Sequence, residues 1–174
     1  MVDTDANVMR INLEKEVDQS YDIVFGRFLF PQIATDLNES RVASRYAIVT
    51  DSNVKDMYAN VLLKQLKAKD TDADIFSFEA GERSKSIDTC MDIVSMMSDK
   101  GFGRDSAILA LGGGVVGDMA GFIAAIFNRG IPYFQIPTTV VAQADSSIGG
   151  KTAVDTKYGK NLVGCFKQPN KVYV

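Results

Sequence analysis

The sequence predicts an α/β fold, a layered sheet with helices on both faces, and three observations carry that prediction. Short apolar runs alternate with longer segments of helical period, the mark of a layered α/β architecture. One of those runs opens directly onto a glycine cluster that is followed by another helical segment, the strand-turn-helix order of open α/β sheets. The 174 residues are 46% hydrophobic and 24% charged. That is the composition of one globular domain with a sizeable core, not of a disordered, collagenous or coiled-coil chain.

The elements follow in order. Periodicity is weak over the first forty residues, where segments 8–13 and 21–24 are expected as a pair of strands ahead of a short helix opened by Pro31. Residues 46–50 form the first clear strand and stop at Asp51-Ser52-Asn53, a turn-and-cap cluster. Val54, Tyr58, Val61 and Leu62 then fall on one helical face. A second strand spans 74–78. Ser84 is positioned to cap the next helix, whose apolar face reads Ile87, Cys90, Met91, Val94 and Met97, with Gly101 at the stop. A third strand, 107–111, runs into Gly112-Gly113-Gly114. Beyond it Val115, Met119, Phe122 and Ile126 step by four, three and four residues, predicting a helix buried on one side. A fourth strand, 132–136, is closed by Pro137, which cannot donate to a central ladder. No internal repeat or linker interrupts the chain. Its last residues, 171–174, alternate like a strand where natural domains usually end polar and frayed, so the chain is expected to be part of a longer protein.

Composition narrows the function. Nineteen Lys and Arg against twenty-two Asp and Glu give a net charge of −3, which offers no broad footprint for nucleic acid or anionic lipid. An anionic ligand must be caught locally. The chain has no histidine, so it holds no Ser-His-Asp or Cys-His relay and no imidazole ligand for a metal. Cys90 and Cys165 are expected as buried or free thiols in a reducing compartment. The acidic start of the chain is unlike a signal peptide, and no apolar run reaches the ~18 residues of a membrane span. A cytoplasmic protein is expected.

Residues 112–117 fit G-x-G-x-x-G after a strand and at the opening of a helix, the context in which backbone N–H groups and the helix dipole meet a pyrophosphate. The alternative is a glycine-rich turn that lets a helix pack close to its sheet. A Rossmann-like site wants an acidic residue about twenty positions on. That region reads Ile136-Pro137-Thr138-Thr139, so Asp51 becomes the better ribose partner. Gly149-Gly150-Lys151-Thr152 resembles the end of a Walker A loop, but Asp145 stands where its first glycine belongs. The stretch 145–152 still offers a carboxylate, hydroxyls and an ammonium group, either as a solvated loop or as an oxyanion or sugar site with Lys151 on a phosphate. Tyr158-Gly159-Lys160-Asn161 repeats that theme. Glu82 and Lys85 are either a charged first helical turn or part of the same edge. Ligand sites in open sheets collect at the carboxyl ends of strands, and these segments cluster there.

In order and spacing, five linked segments resemble the 3-dehydroquinate synthase family of sugar phosphate cyclases. They are residues 111–118, Arg129-Gly130, 137–139, 145–152 and 159–164, and weaker likeness extends back through 81–85 and 50–53. The resemblance implies an N-terminal, Rossmann-like NAD-binding domain over residues 1–174, with a helical, metal-binding C-terminal domain that this chain lacks. It further implies a cytoplasmic homodimer of the shikimate pathway and a sugar phosphate substrate. The family converts 3-deoxy-D-arabino-heptulosonate 7-phosphate to 3-dehydroquinate and phosphate. A ring hydroxyl is transiently oxidised, phosphate is eliminated, the ketone is reduced back and an aldol step closes the ring.

By matching position, Asp51, Asn53, Glu82, Lys85, Gly113, Gly114, Val115, Asp118, Thr138, Thr139 and Lys160 resemble the family's NAD contacts. Asp145, Lys151 and Asn161 resemble its substrate contacts, with Lys151 on the phosphate, and Arg129 resembles an arginine that reaches the neighbouring subunit's site. The family's divalent metal, zinc or cobalt, is held by a glutamate and two histidines beyond the segment that ends here, so this chain is expected to hold no metal and to be inactive alone. Between Lys151 and Gly159 the chain reads Thr152-Ala153-Val154-Asp155-Thr156-Lys157-Tyr158, where many relatives carry Asn and then His-Pro. The remaining alternatives are another sugar phosphate cyclase, of the 2-deoxy-scyllo-inosose or valiolone synthase type, and a non-catalytic nucleotide-binding module. An iron-type alcohol or glycerol dehydrogenase shares the glycine loop, but residues 145–152 and 159–161 argue against it.

Overall fold

A computed structural model of the chain describes residues 10–174. Strand β1 (Asp22–Val24) leads to helix α1 (Phe30–Ser40), opened by Pro31, and then to β2 (Arg45–Asp51). Helix α2 (Ser52–Val54) passes through a π-helical turn (Lys55–Ala59) into α3 (Asn60–Lys67), followed by β3 (Asp72–Phe78). A 3-10 turn (Glu82–Ser84) precedes α4 (Ile87–Asp99), and β4 (Ser106–Gly112) feeds α5 (Gly114–Ile126). After β5 (Tyr133–Pro137) a second π-helical turn (Ala142–Ser146) leads into the hairpin of β6 (Lys151–Thr156) and β7 (Gly159–Phe166), and β8 (Lys171–Tyr173) follows.

Six strands form one parallel sheet in the order β1-β8-β5-β4-β2-β3, and β6 and β7 pair antiparallel outside it. Parallel strands must be joined by crossovers, so the helices cover both faces. The two-residue period of each strand divides its side chains between two cores. On one face Tyr46, Ile48, Leu109 and Leu111 meet Ile33 and Leu37 of α1 and Leu62 and Leu66 of α3. On the other, Val49, Phe76, Ile108 and Ala110 meet Cys90, Ile93 and Met97 of α4 and Met119 and Ile123 of α5. Strand β4 is buried along its whole length.

The strand order places a switch point between β2 and β4. From β2 the chain moves outward through α3 to β3, and from β4 it moves the other way through α5 to β5, on the opposite face. The two loops part there and leave a crevice at the carboxyl ends of these strands. Asp51 ends β2 and Gly112 ends β4, so the turn-and-cap cluster and the glycine loop border that crevice.

Several local expectations change in the fold. Strand β1 pairs with β8, the last strand of the chain, and not with an 8–13 strand. Residues 10–13 form no strand, and 8 and 9 lie outside the described residues. In the helix after β2 the π turn inserts a residue and rotates the face. Val54, Ala59, Leu62 and Leu66 are buried there, while Tyr58 and Val61 are exposed. In α4 the buried stripe is Cys90, Ile93 and Met97, with Ile87 and Met91 exposed on its flank. Its cap is Ser86, whose side chain accepts from the Thr89 N–H, and not Ser84, which belongs to the separate 3-10 turn. Gly101 does stop the helix, in the left-handed region at φ +74. Helix α5 is buried nearly all round and not on one side, because the β6–β7 hairpin covers the side the sheet leaves open. The sandwich is tight: a Cβ at Gly121 would lie 2.3 Å from Thr152 Cγ2 and 3.3 Å from Tyr133 Cε2.

Candidate active site

At the mouth of β4 the glycines divide their work. Gly113 caps α5 in extended backbone with no side-chain acceptor, so the N–H groups of the first turn have no intrahelical partner. A Cβ at Gly113 would stand 3.1 Å from Thr139 Cγ2, and one at Gly114 would stand 3.1 Å from Ser146 Oγ. Both positions bring the backbone close to the next loop. Gly117 serves packing instead, since a Cβ there would come within 2.9 Å of Gln135 Oε1 on β5. Val115 is half-buried against the α4–α5 core. Across the crevice Asp51 spends one oxygen on the Val54 N–H at 2.9 Å, capping α2, while Asn53 is exposed. Ser52 Oγ accepts from the Ala80 N–H at 3.0 Å, tying this loop to the one after β3.

Past β5, Thr138 donates its N–H to the Gly112 carbonyl at 2.9 Å, and its buried hydroxyl has no partner among the described residues. The Thr139 hydroxyl accepts from the Ala142 N–H at 3.2 Å and starts the π-helical turn that carries Asp145. The stretch 145–152 is therefore a turn leading into a strand, not a loop throughout, with Lys151 as the first residue of β6.

The hairpin closes the site. Lys85 is only 5% exposed, and its Nζ lies 2.6 Å from Asp118 Oδ2 and donates to Asn161 Oδ1 at 2.6 Å. Three segments thus meet on one ammonium group: the turn before α4, the second turn of α5 and the end of the hairpin. A buried lysine is tolerated only when so paired. Burial pushes the Asp118 carboxyl above its ordinary range, and the Lys85 ammonium opposes that rise. Lys160 pairs with Glu82 at 2.7 Å in solvent and is held above its ordinary value by that hydrogen bond. Asp118, Lys151 and Asn161 line a cavity of about 410 Å³. Asp118 and Lys151 also border a cleft of about 520 Å³ with Asp145 and Ser146. Among the described residues no ion pair engages Lys151.

Arg129 is not brought to this cluster. It follows the C-terminal end of α5, stands exposed and lines neither of the two cavities. Asn128, Arg129 and Gly130 all have positive φ, at 50, 69 and 114°. Cys90 and Cys165 are both free, Cys90 buried and Cys165 half-buried. Among the described residues no cluster of three or more Cys, Asp or Glu is suited to a metal, and no helix is long and apolar enough to cross a membrane.

Fold and site together define a doubly wound α/β domain with a glycine loop at its switch point, the architecture on which dinucleotide sites are built. The 3-dehydroquinate synthase N-terminal family model matches residues 75–174, more than half of the chain, and the chain belongs to that family. It is 44% identical over 157 residues to a 3-dehydroquinate synthase of Thermoanaerobacter sp. (strain X514), covering 90% of this chain and 44% of the relative. Among solved structures it resembles 2-deoxy-scyllo-inosose synthase complexed with carbaglucose-6-phosphate, NAD+ and Co2+. That match has a TM-score of 0.82 at 29% identity and covers 88% of this chain and 42% of the other. A second likeness is to the NAD+- and Zn2+-bound 2-epi-5-epi-valiolone synthase of Streptomyces hygroscopicus. There the TM-score is 0.78 at 30% identity, covering 95% of this chain and 45% of the other. The chain spans less than half the length of these relatives.

Proposed function

We propose that this chain is the NAD-binding part of a 3-dehydroquinate synthase. On this reading the parent enzyme converts 3-deoxy-D-arabino-heptulosonate 7-phosphate to 3-dehydroquinate and phosphate. The observation that carries the reading is the meeting of Lys85, Asp118 and Asn161 beside the glycine loop, in a chain that matches the family over this same region. The cradle suits a dinucleotide. Two glycines approach the next loop too closely for side chains, the α5 N–H groups are free, and the orphaned Thr138 hydroxyl lies one residue past β5. When bound, NAD takes up and later returns the electrons and hydrogen of a substrate alcohol and is left unchanged overall.

The residues of this chain bind and orient. The Gly113-Gly114-Val115 backbone faces the pyrophosphate, Asp51 offers its uncommitted carboxylate oxygen to a ribose hydroxyl, and Asn53, Thr138 and Thr139 border the same crevice. Lys85, Asp118, Glu82 and Lys160 form the wall of the cofactor site. Lys151, an ammonium group without a counter-ion among the described residues, takes the substrate phosphate with Asn161, and Asp145 orients the sugar across the cleft. Arg129, which lines neither cavity, acts in the site of a second subunit of a homodimer. The divalent metal, zinc or cobalt, and the domain that holds it are assigned to the part of the relatives that this chain does not span, and the chain alone is inactive. A cytoplasmic location belongs to the same reading of the parent enzyme. The structural likeness to other sugar phosphate cyclases, at 29–30% identity, favours a different substrate less than the 44% identity to a 3-dehydroquinate synthase favours this one.

Calorimetric titration of NAD into the chain tests the proposal. One saturable site is expected. Asp51→Asn, which keeps the helix cap, is expected to weaken it about tenfold through the lost ribose contact with no loss of stability. Absence of saturable binding refutes the reading.

A further inference from the structure

We infer that Asp155 is a positioning residue that sets the geometry of Asn161 and Lys85, and the inference rests on the proposed cofactor and substrate roles of those two side chains. Asp155 faces the irregularity of the hairpin: between the Val154–Val163 and Thr156–Gly159 pairs, β6 has Asp155 alone and β7 has residues 160–162. The extra residues therefore bulge from β7 and bring Asn161 over Asp155, while the outer edge of β6 leaves the Asp155 backbone and carboxylate open to other partners. Both are used. The Asp155 carboxylate accepts the Asn161 N–H at 2.8 Å, and the Asp155 N–H donates to the Lys85 carbonyl at 2.8 Å, beside an isolated parallel bridge between Ser86 and Asp155. Lys85 Nζ in turn donates to Asn161 Oδ1.

These bonds close a ring. It runs from the Asp155 side chain to the Asn161 backbone, through the Asn161 side chain to the Lys85 ammonium, and from the Lys85 carbonyl back to the Asp155 backbone. Its purpose is visible in Asn161, which is held at φ 56, a left-handed conformation that costs an L-residue free energy and persists only where its surroundings impose it. Asparagine tolerates that region better than most residues, yet nothing in its own side chain holds it there, because its amide oxygen is given to Lys85. The carboxylate of Asp155 supplies the restraint. Without it the Asn161 backbone relaxes toward extended strand, its side chain leaves Lys85, and the ammonium keeps only Asp118.

The test separates this inference from the functional reading by using two readouts. Amide hydrogen exchange at Asn161 in the ligand-free chain reports the restraint itself. Asp155→Ala is expected to speed it about tenfold, the loss of one hydrogen bond, and Asp155→Asn, which keeps an acceptor oxygen, to leave it within about twofold. NAD affinity reports the consequence. Asp155→Ala is expected to weaken binding about tenfold in the native background but to add nothing in an Asn161→Ala background, because a residue that acts through a side chain has no effect once that side chain is gone. Unchanged Asn161 exchange in Asp155→Ala, or an equal loss of affinity in both backgrounds, overturns the inference. If the unsubstituted chain fails to bind NAD, the functional reading falls, and the exchange data alone uphold or reject the restraint.

Discussion

Replacing Lys85 by methionine keeps the length of the side chain and removes the charge, leaving Asp118 without its counter-ion. The Lys85 side chain is 7% exposed and that of Asp118 is 22% exposed. Breaking a buried pair from one side costs about 3–5 kcal/mol. Water reaches part of Asp118, so the lower limit of about 3 kcal/mol is expected, which in a chain of this length lowers Tm by about 6–12 °C. The loss must depend on pH. Burial already raises the Asp118 carboxyl above its ordinary value, and Lys85 holds that rise in check. With Lys85 gone the folded-state pKa climbs further above the unfolded one. A group with a raised folded pKa favours the folded state at low pH, where it is protonated in both states, and that advantage is lost as pH rises through the folded value. Urea unfolding followed by circular dichroism is therefore expected to show Lys85→Met close to the parent near pH 4 and fully destabilised at pH 8. Adding Asp118→Asn to Lys85→Met, which neutralises the stranded carboxylate, is expected to restore most of the stability at pH 8. A Lys85→Met chain as stable as the parent at pH 8 refutes the reasoning. So does a loss that neither pH nor Asp118→Asn changes.

The remaining predictions concern the scaffold. Gly121→Ala drives a methyl group between Thr152 and Tyr133, and overpacking of this kind is expected to cost about 1–3 kcal/mol, read as a lower urea midpoint at unchanged slope. Ser86→Ala removes the cap of α4 and is expected to cost about 1 kcal/mol, whereas Ser84→Ala changes stability by less than about 0.5 kcal/mol. Burial pushes the Cys90 thiol up to about 12, so a thiol reagent at pH 8 is expected to modify Cys90 only after the chain is unfolded in guanidinium chloride. Modification of Cys90 at equal rates in folded and unfolded chain would contradict its placement in the α4–α5 core.

Reading helix faces from spacing held in part in the regular helix α4, where Cys90, Val94 and Met97 do pack on the core but Ile87 and Met91 stand exposed. It failed at residues 54–66 because a π turn changes the phase by one residue, and nothing in the local composition announces that turn. It failed at α5 because the sheet on one side and the hairpin on the other both needed apolar cover. The candidate site shows the same division. Each segment was legible as a short polar or glycine-rich motif after a strand, since turn chemistry and helix caps are local. That Lys85, Asp118 and Asn161 share one hydrogen-bond centre was not legible, because the contact joins residues up to 76 positions apart. Asp155 gave no signal at all in the chain, since its role arises from a bulge in the facing strand β7 and from a carbonyl of another segment.

What the sequence alone determined is the alternation of strands and helices, the glycine loop at the end of β4, the lack of histidine chemistry and the family likeness carried by segments 111–164. These rest on period, composition and motif, which are properties of neighbouring residues. The tertiary structure alone decided the strand order and the switch point it creates, the pairing of β1 with β8, the enclosure of α5, and the ring that sets Asn161 against Lys85. Those depend on which distant segments bury each other's apolar faces and satisfy each other's polar groups, a condition met only when the whole chain closes on itself.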